Sequence, residues 1–159
     1  MPERRIRLYA DTSVFGGAFD EEFAEPSRRL VEDIRQGRFA LVTSALVRDE
    51  LVDAPAEVGA LFESLTEGGD VAEVTPDAVD LRDAYVRAAI VSERRATDAL
   101  HVALATVSRC TVLVSWNFRH IVHFQKVPLY NAVSRVNGYG EILICSPPEV
   151  ALYAKDEGV

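Results

Sequence analysis

Apolar positions along this chain alternate between short continuous runs and longer stretches with a helical repeat. Ile6 to Ala10 reads as a first strand, ending at Asp11. Pro26 is well placed near a helix start, and that helix runs to Gly37, a residue type suited to the position just past a helix end. Phe39 to Thr43 forms a second strand, and Ser44 is a good N-cap for a helix through about Val52. Pro55 to Thr66 is a further helix closed by Gly68 and Gly69, followed by a short strand, Val71 to Val74. The pair Thr75-Pro76 opens a helix reaching about Val91. Thr97 caps the next helix, Asp98 to Arg109, and Thr111 to Val114 is a strand. A helical stretch from Leu129 to Val136 and a last strand, Ile142 to Cys145, complete the pattern.

Strands alternating with helices predict an α/β fold with a mostly parallel sheet covered on both faces. Open sheets of that kind gather ligands at the carboxyl ends of their strands. Asp11 and the segment Ser115 to Asn117 both fall at such ends.

Composition narrows the function classes. A chain of 159 residues with no repeat or linker fits one domain, residues 1–159. The apolar runs are too short to span a bilayer, and MPERRIRLYADTS lacks the apolar core of a secretory leader. Cys110 and Cys145 lie beside strand-like runs without metal-ligand spacing, which reads as reduced, buried thiols in a cytoplasmic protein. The net charge of −8 argues against a general nucleic-acid coat protein. It leaves room for an enzyme acting on phosphodiesters, which needs acids at a metal centre and only a local basic rim. Arg48, Arg94, Arg95, Arg119 and Lys126 stand near the candidate segments in sequence; they read equally as a local phosphate track and as scattered surface charges.

The acids carry different information. Asp11, before Thr12-Ser13, suits a turn or cap and equally a ligand. On a helical projection Glu50 falls inside an arc made by Leu46, Val47, Leu51 and Ala54, whereas Asp49 and Asp53 point elsewhere. A carboxylate on an apolar stripe is costly unless it is paired in a buried salt bridge, bound to a cation or set at the solvent edge of the arc. Asp98 opens a helix that is apolar almost all round, where it complements the helix dipole and where it could also reach a site. His101, one turn on, reads as a packed or hydrogen-bonded histidine. His120 and His123 lack a third ligand for zinc. Trp116 reads as a core or interface anchor rather than a base-stacking platform.

Taken in order, YADTSVFGG, TSALVRDEL, TDALHVALA and LVSWNF resemble the PIN-domain family, from about Ile6 to Cys145. The resemblance implies a three-layer α/β sandwich with an acidic cluster at one end of the sheet, and a metal-dependent ribonuclease of the VapC toxin type. It places Asp11, Glu50 and Asp98 in the cluster as catalytic groups and as ligands of Mg²⁺ or Mn²⁺. Thr12, Ser13 and Ser115 become supporting residues, and Asn117 stands where many members have a further aspartate. A neutral amide there implies one well-held ion and a weaker second site. The resemblance further implies an RNA substrate, a homodimer and an antitoxin partner. Two other readings follow from the same residues. One is a phosphatase with Asp11 as nucleophile, which DTSVF disfavours by lacking a second aspartate two residues on. The other is a PIN-like binding module that no longer cuts.

Overall fold

The computed structural model describes residues 5–156, with side chains through residue 151; the first four residues of the amino-terminal segment read above lie outside it. Five strands form one sheet: β1 (Ile6–Ala10), β2 (Phe39–Ser44), β3 (Asp70–Ala72), β4 (Val112–Val114) and β5 (Leu143–Cys145). Their order across the sheet is β3-β2-β1-β4-β5, and every neighbouring pair is parallel. Parallel strands need helical crossovers, so both faces are covered and the strands read as continuous apolar runs. Leu8, Tyr9, Val42, Leu113 and Val114 are accordingly 0% exposed.

The helices are α1 (Thr12–Gly17), α2 (Ala24–Arg35), α3 (Ala45–Glu50), α4 (Ala56–Thr66), α5 (Pro76–Arg87), α6 (Ala96–Val107), α7 (Val127–Val136) and α8 (Pro147–Asp156). They pack among themselves in two groups, α1, α2, α4 and α8 in one and α5, α6 and α7 in the other. This is the expected three-layer α/β arrangement. Cys110 and Cys145 are free and buried, and burial pushes both thiols up to about 12.

Several boundaries differ from the sequence reading. Helix α1 was not foreseen: Asp11, expected in a turn or cap, is the N-cap of this short helix and accepts from the Ser13 backbone. Helix α8 was likewise missed. Helix α5 stops at Arg87 rather than Val91, because Ala89 adopts a left-handed backbone (φ 60°). A 3₁₀ turn, Glu93–Arg95, leads into α6, so Thr97 lies inside the helix rather than capping it. Helix α3 ends at Glu50, which puts that acid at the helix terminus. Gly37 adopts the left-handed conformation (φ 78°) expected of the residue after α2.

The strand order reverses between β1 and β4, with β2 and β3 to one side and β5 to the other. Such a switch point opens a crevice at the carboxyl ends of the two strands. Asp11 follows β1 there, and Ser115 follows β4.

Candidate active site

The two sides of the switch point are bonded to each other. The Ser115 hydroxyl donates to Asp11 Oδ2 at 2.5 Å. Asp11 Oδ1 accepts from the Ser13 backbone at 3.1 Å and from the Ser13 hydroxyl at 2.6 Å. Ser13 Oγ also accepts from the Trp116 backbone at 2.9 Å, and Ser115 Oγ accepts from the Asn117 backbone at 2.9 Å. The Asp11 carboxylate is therefore fixed from both oxygens by two serines, which are themselves fixed by the loop after β4. It is 4% exposed, and no basic side chain makes an ion pair with it among the described residues. Burial is the largest influence on its pKa and pushes it upward, against the His101 imidazole and the Ser115 and Ser13 hydrogen bonds.

Glu50 is held differently. Its Oε1 accepts from the Thr12 hydroxyl at 2.7 Å and meets His101 Nε2 at 2.7 Å. Oε2 makes no hydrogen bond among the described residues. The side chain is 34% exposed, so Glu50 lies toward the edge of its apolar arc and is paired as well. Burial works against the carboxylate, but the hydrogen bond and charge of His101, with the Thr12 hydroxyl, outweigh it and hold Glu50 below the usual glutamate range.

Asp98 is the third residue of α6, one turn before His101. It is half-buried, and among the described residues no hydrogen bond or ion pair joins it to Asp11 or Glu50. Its charge bears on His120 and Tyr130. Both ring nitrogens of His120 are buried without a hydrogen-bond partner. Burial pulls the His120 pKa down; Asp98 opposes this, while Arg95, Lys126 and Arg119 add to it. Three of the five basic residues expected near the site thus act on one histidine beside Asp98. Lys126 Nζ is itself bonded to the Ile90 carbonyl.

Asn117 has a local task that sequence reasoning missed. Its Oδ1 accepts from the His120 backbone at 3.0 Å, and its carbonyl accepts from Ile121 and Val122. The side chain thus caps the turn that follows β4, in the way asparagine favours. Trp116 is an anchor, as expected. It stacks on Phe23 with centroids 4.3 Å apart and donates from Nε1 to Ser27 Oγ at 2.8 Å. That bond passes over Gly17, where any Cβ would lie 2.7 Å from Trp116 Nε1. The sequence pattern marks none of Tyr9, Ser44 and His101 as a site residue. The stripe argument that flagged Glu50 applies equally to His101, an imidazole amid the buried residues Leu100, Val102 and Ala103.

Asp11, Glu50 and Asp98 offer the hard oxygen donors that a divalent cation takes. A buried carboxylate with no basic partner, such as Asp11, gains from a nearby cation. Among the described residues no three His, Cys, Asp or Glu side chains stand close enough together to enclose one ion. The donor set therefore suits a cation held by one or two carboxylates and completed by water, the usual mode for magnesium.

No curated protein sequence matches the chain. Among solved structures it is similar to VapBC2 from Rickettsia felis bound to a DNA fragment from their promoter, at 10% identity and a TM-score of 0.57. That match covers 89% of this chain and 98% of the other. It is similar to VapC20 of Mycobacterium tuberculosis, a sarcin-ricin loop cleaving toxin, at 14% identity and a TM-score of 0.54, covering 85% and 98%. It is also similar to FitAcB from Neisseria gonorrhoeae, at 12% identity and a TM-score of 0.55, covering 88% and 97%. At such identities the likeness is one of fold. The family model for the PIN domain matches residues 8–122, a span that holds Asp11, Glu50, Asp98, Ser115 and Asn117. The chain belongs to the PIN-domain family.

Proposed function

We propose that this protein is a divalent-cation-dependent endoribonuclease acting as the toxin of a toxin–antitoxin pair. The observation that carries the reading is Asp11: a buried carboxylate at the switch point, oriented through both oxygens and without a basic partner among the described residues. Asp11 and Asp98 would hold the ion, and Glu50 would orient the attacking water. Mg²⁺ or Mn²⁺, when bound, would supply Lewis-acid activation of the phosphodiester and a more acidic water. Glu50 Oε2, unbonded among the described residues, would take the proton that the water loses as its oxygen bonds phosphorus and the P–O bond to the sugar breaks, and the leaving sugar oxygen would take a proton from solvent. The Ser13 and Ser115 hydroxyls keep Asp11 in one orientation, as outer-shell groups do. Arg95, Arg119 and Lys126, whose charges bear on His120 as that of Asp98 does, would line the path of the RNA backbone.

VapC20 being a sarcin-ricin loop cleaving toxin supports the RNA substrate. VapBC2 on its promoter fragment supports an antitoxin partner. Homodimerisation belongs to the same proposal. The binding-module reading rests on Asn117 standing where many family members have an acid. Its side chain has a structural occupation in the turn, so the missing acid does not by itself signal a lost activity. The test is cleavage of a mixed single-stranded and structured RNA pool with Mg²⁺ or Mn²⁺, wild type against Asp11→Asn. Cation-dependent cutting that disappears in the variant is the expected result. Cutting unchanged by the substitution would remove Asp11 from the site, and a folded wild type that binds RNA without cutting would favour the module.

A further inference from the structure

Glu50 is the outer end of a line of hydrogen bonds that runs into the core. His101 Nε2 meets Glu50 Oε1 at 2.7 Å, and His101 Nδ1 meets the Tyr9 hydroxyl at 2.9 Å. Tyr9 OH meets Ser44 Oγ at 2.8 Å. Ser44 Oγ in turn accepts from the Val47 backbone, the N-cap bond of α3. Tyr9, Ser44 and His101 are 0%, 0% and 3% exposed, so water does not replace the bonds among these three.

The protons on this line can be placed by elimination. The carboxylate of Glu50 only accepts, so His101 Nε2 carries a proton. The Ser44 hydroxyl hydrogen has one available acceptor, the Tyr9 oxygen, because its other neighbour, the Val47 N–H, is a donor. Tyr9 then gives its own hydrogen to His101 Nδ1. Every donor and acceptor is satisfied in that direction. Reversal would leave the Ser44 hydrogen without a partner in a buried place.

We infer that His101, oriented by Tyr9 and Ser44, is a positioning residue for Glu50: its Nε2–H, with the Thr12 hydroxyl, ties down Oε1 and leaves Oε2 as the acceptor presented to the reaction. The inference rests on the proposed hydrolysis. The geometry explains why a histidine is buried in an apolar helix: it joins α6 to both ends of α3, through Ser44 at the cap and Glu50 at the terminus. A carboxylate at a helix carboxyl end meets the negative end of the dipole, and the His101 N–H offsets that repulsion and holds the side chain in place.

Two measurements test this. In metal-free wild-type protein at about pH 8, ¹⁵N spectra of the imidazoles should show His101 protonated at Nε2 and bare at Nδ1. Tyr9→Phe should shift the Nδ1 resonance, and Glu50→Gln the Nε2 resonance. A proton on Nδ1 with Nε2 bare would overturn the inference, with no reference to activity. In RNA cleavage, His101→Leu should lower kcat about 10- to 100-fold, the range for an outer-shell partner, with KM unchanged. His101→Gln, which keeps an amide N–H at the Nε2 position, should recover most of that loss. A folded His101→Leu variant that cuts as wild type, or a Gln variant no better than Leu, would also overturn it. If the Leu variant fails to fold, the comparison of Gln with wild type and the Tyr9→Phe spectrum decide. Absence of any cutting by wild type would count against the hydrolysis reading, and the spectra would still judge the hydrogen-bond line.

Discussion

Asp11 and Glu50 carry the same functional group and are held by opposite means. Asp11 is buried, gripped through both oxygens by neutral hydroxyls, and also serves as the cap of α1. Glu50 is about one-third exposed, gripped through one oxygen by an imidazole and a hydroxyl, and caps nothing. Burial pushes Asp11 upward in pKa, and the His101 contact holds Glu50 down. Environments that push two acids apart in this way assign them different tasks. Asp11 is the fixed anchor whose charge calls for a cation. Glu50 stays ionised, and its Oε2, unbonded among the described residues, is placed to accept a hydrogen bond from a water. One residue is built into the fold and the other is attached to it.

The largest effect expected is on cleavage by the isosteric amides. Asp11→Asn and Glu50→Gln should each reduce the rate of RNA cleavage by more than about 100-fold, beyond the range of outer-shell changes, with melting temperatures close to wild type. Ser115→Ala comes next: Asp11 loses its grip on Oδ2 and the Asn117 N–H loses its acceptor. The rate should fall about 10- to 100-fold, and a rate equal to wild type would show that Oδ2 needs no orientation. Stability separates the two acids more sharply. Denaturant unfolding of Asp11→Ala should show a loss of about 2 kcal/mol, from the cap and the stranded serine hydroxyls. Glu50→Ala should lose less than about 1 kcal/mol, because water reaches its place. Equal losses would erase the contrast between anchor and attachment. The smallest effect is expected at Asn117→Asp, within about 0.5 kcal/mol in stability, since asparagine and aspartate cap equally well. A gain in cation affinity measured by calorimetry on that variant would show that the position also reaches the ion.

The sequence displays some of this plainly and hides the rest. Asp11 and Ser115 were placed at strand ends because apolar runs stop in front of them. Their direct contact was not legible, since local pattern does not say which strands are neighbours. Glu50 stood out on its apolar arc. Its partner lies 51 residues on, in a helix where apolar residues on every side give no preferred face to read. Helix α1 escaped notice because TSVFGG contains β-branched residues and two glycines, poor helix formers held here by the Asp11 cap and by packing against α2 and α4. Asn117 was matched to an acid position by residue type. That comparison cannot see the His120 N–H, which needs an acceptor whichever chemistry the site performs.

Gly17 lies under the bond between Trp116 and Ser27, and Trp116 is the one tryptophan in the chain. Its indole touches Ser27 of α2 and Phe23 just before that helix, and its backbone is tied to Ser13 beside Asp11. The protein therefore carries an intrinsic fluorophore at the joint between its first helix and the candidate site. Emission from this single chromophore gives a label-free optical readout of whether the serine cradle is seated, in every variant that leaves residues 17, 23, 27 and 116 untouched.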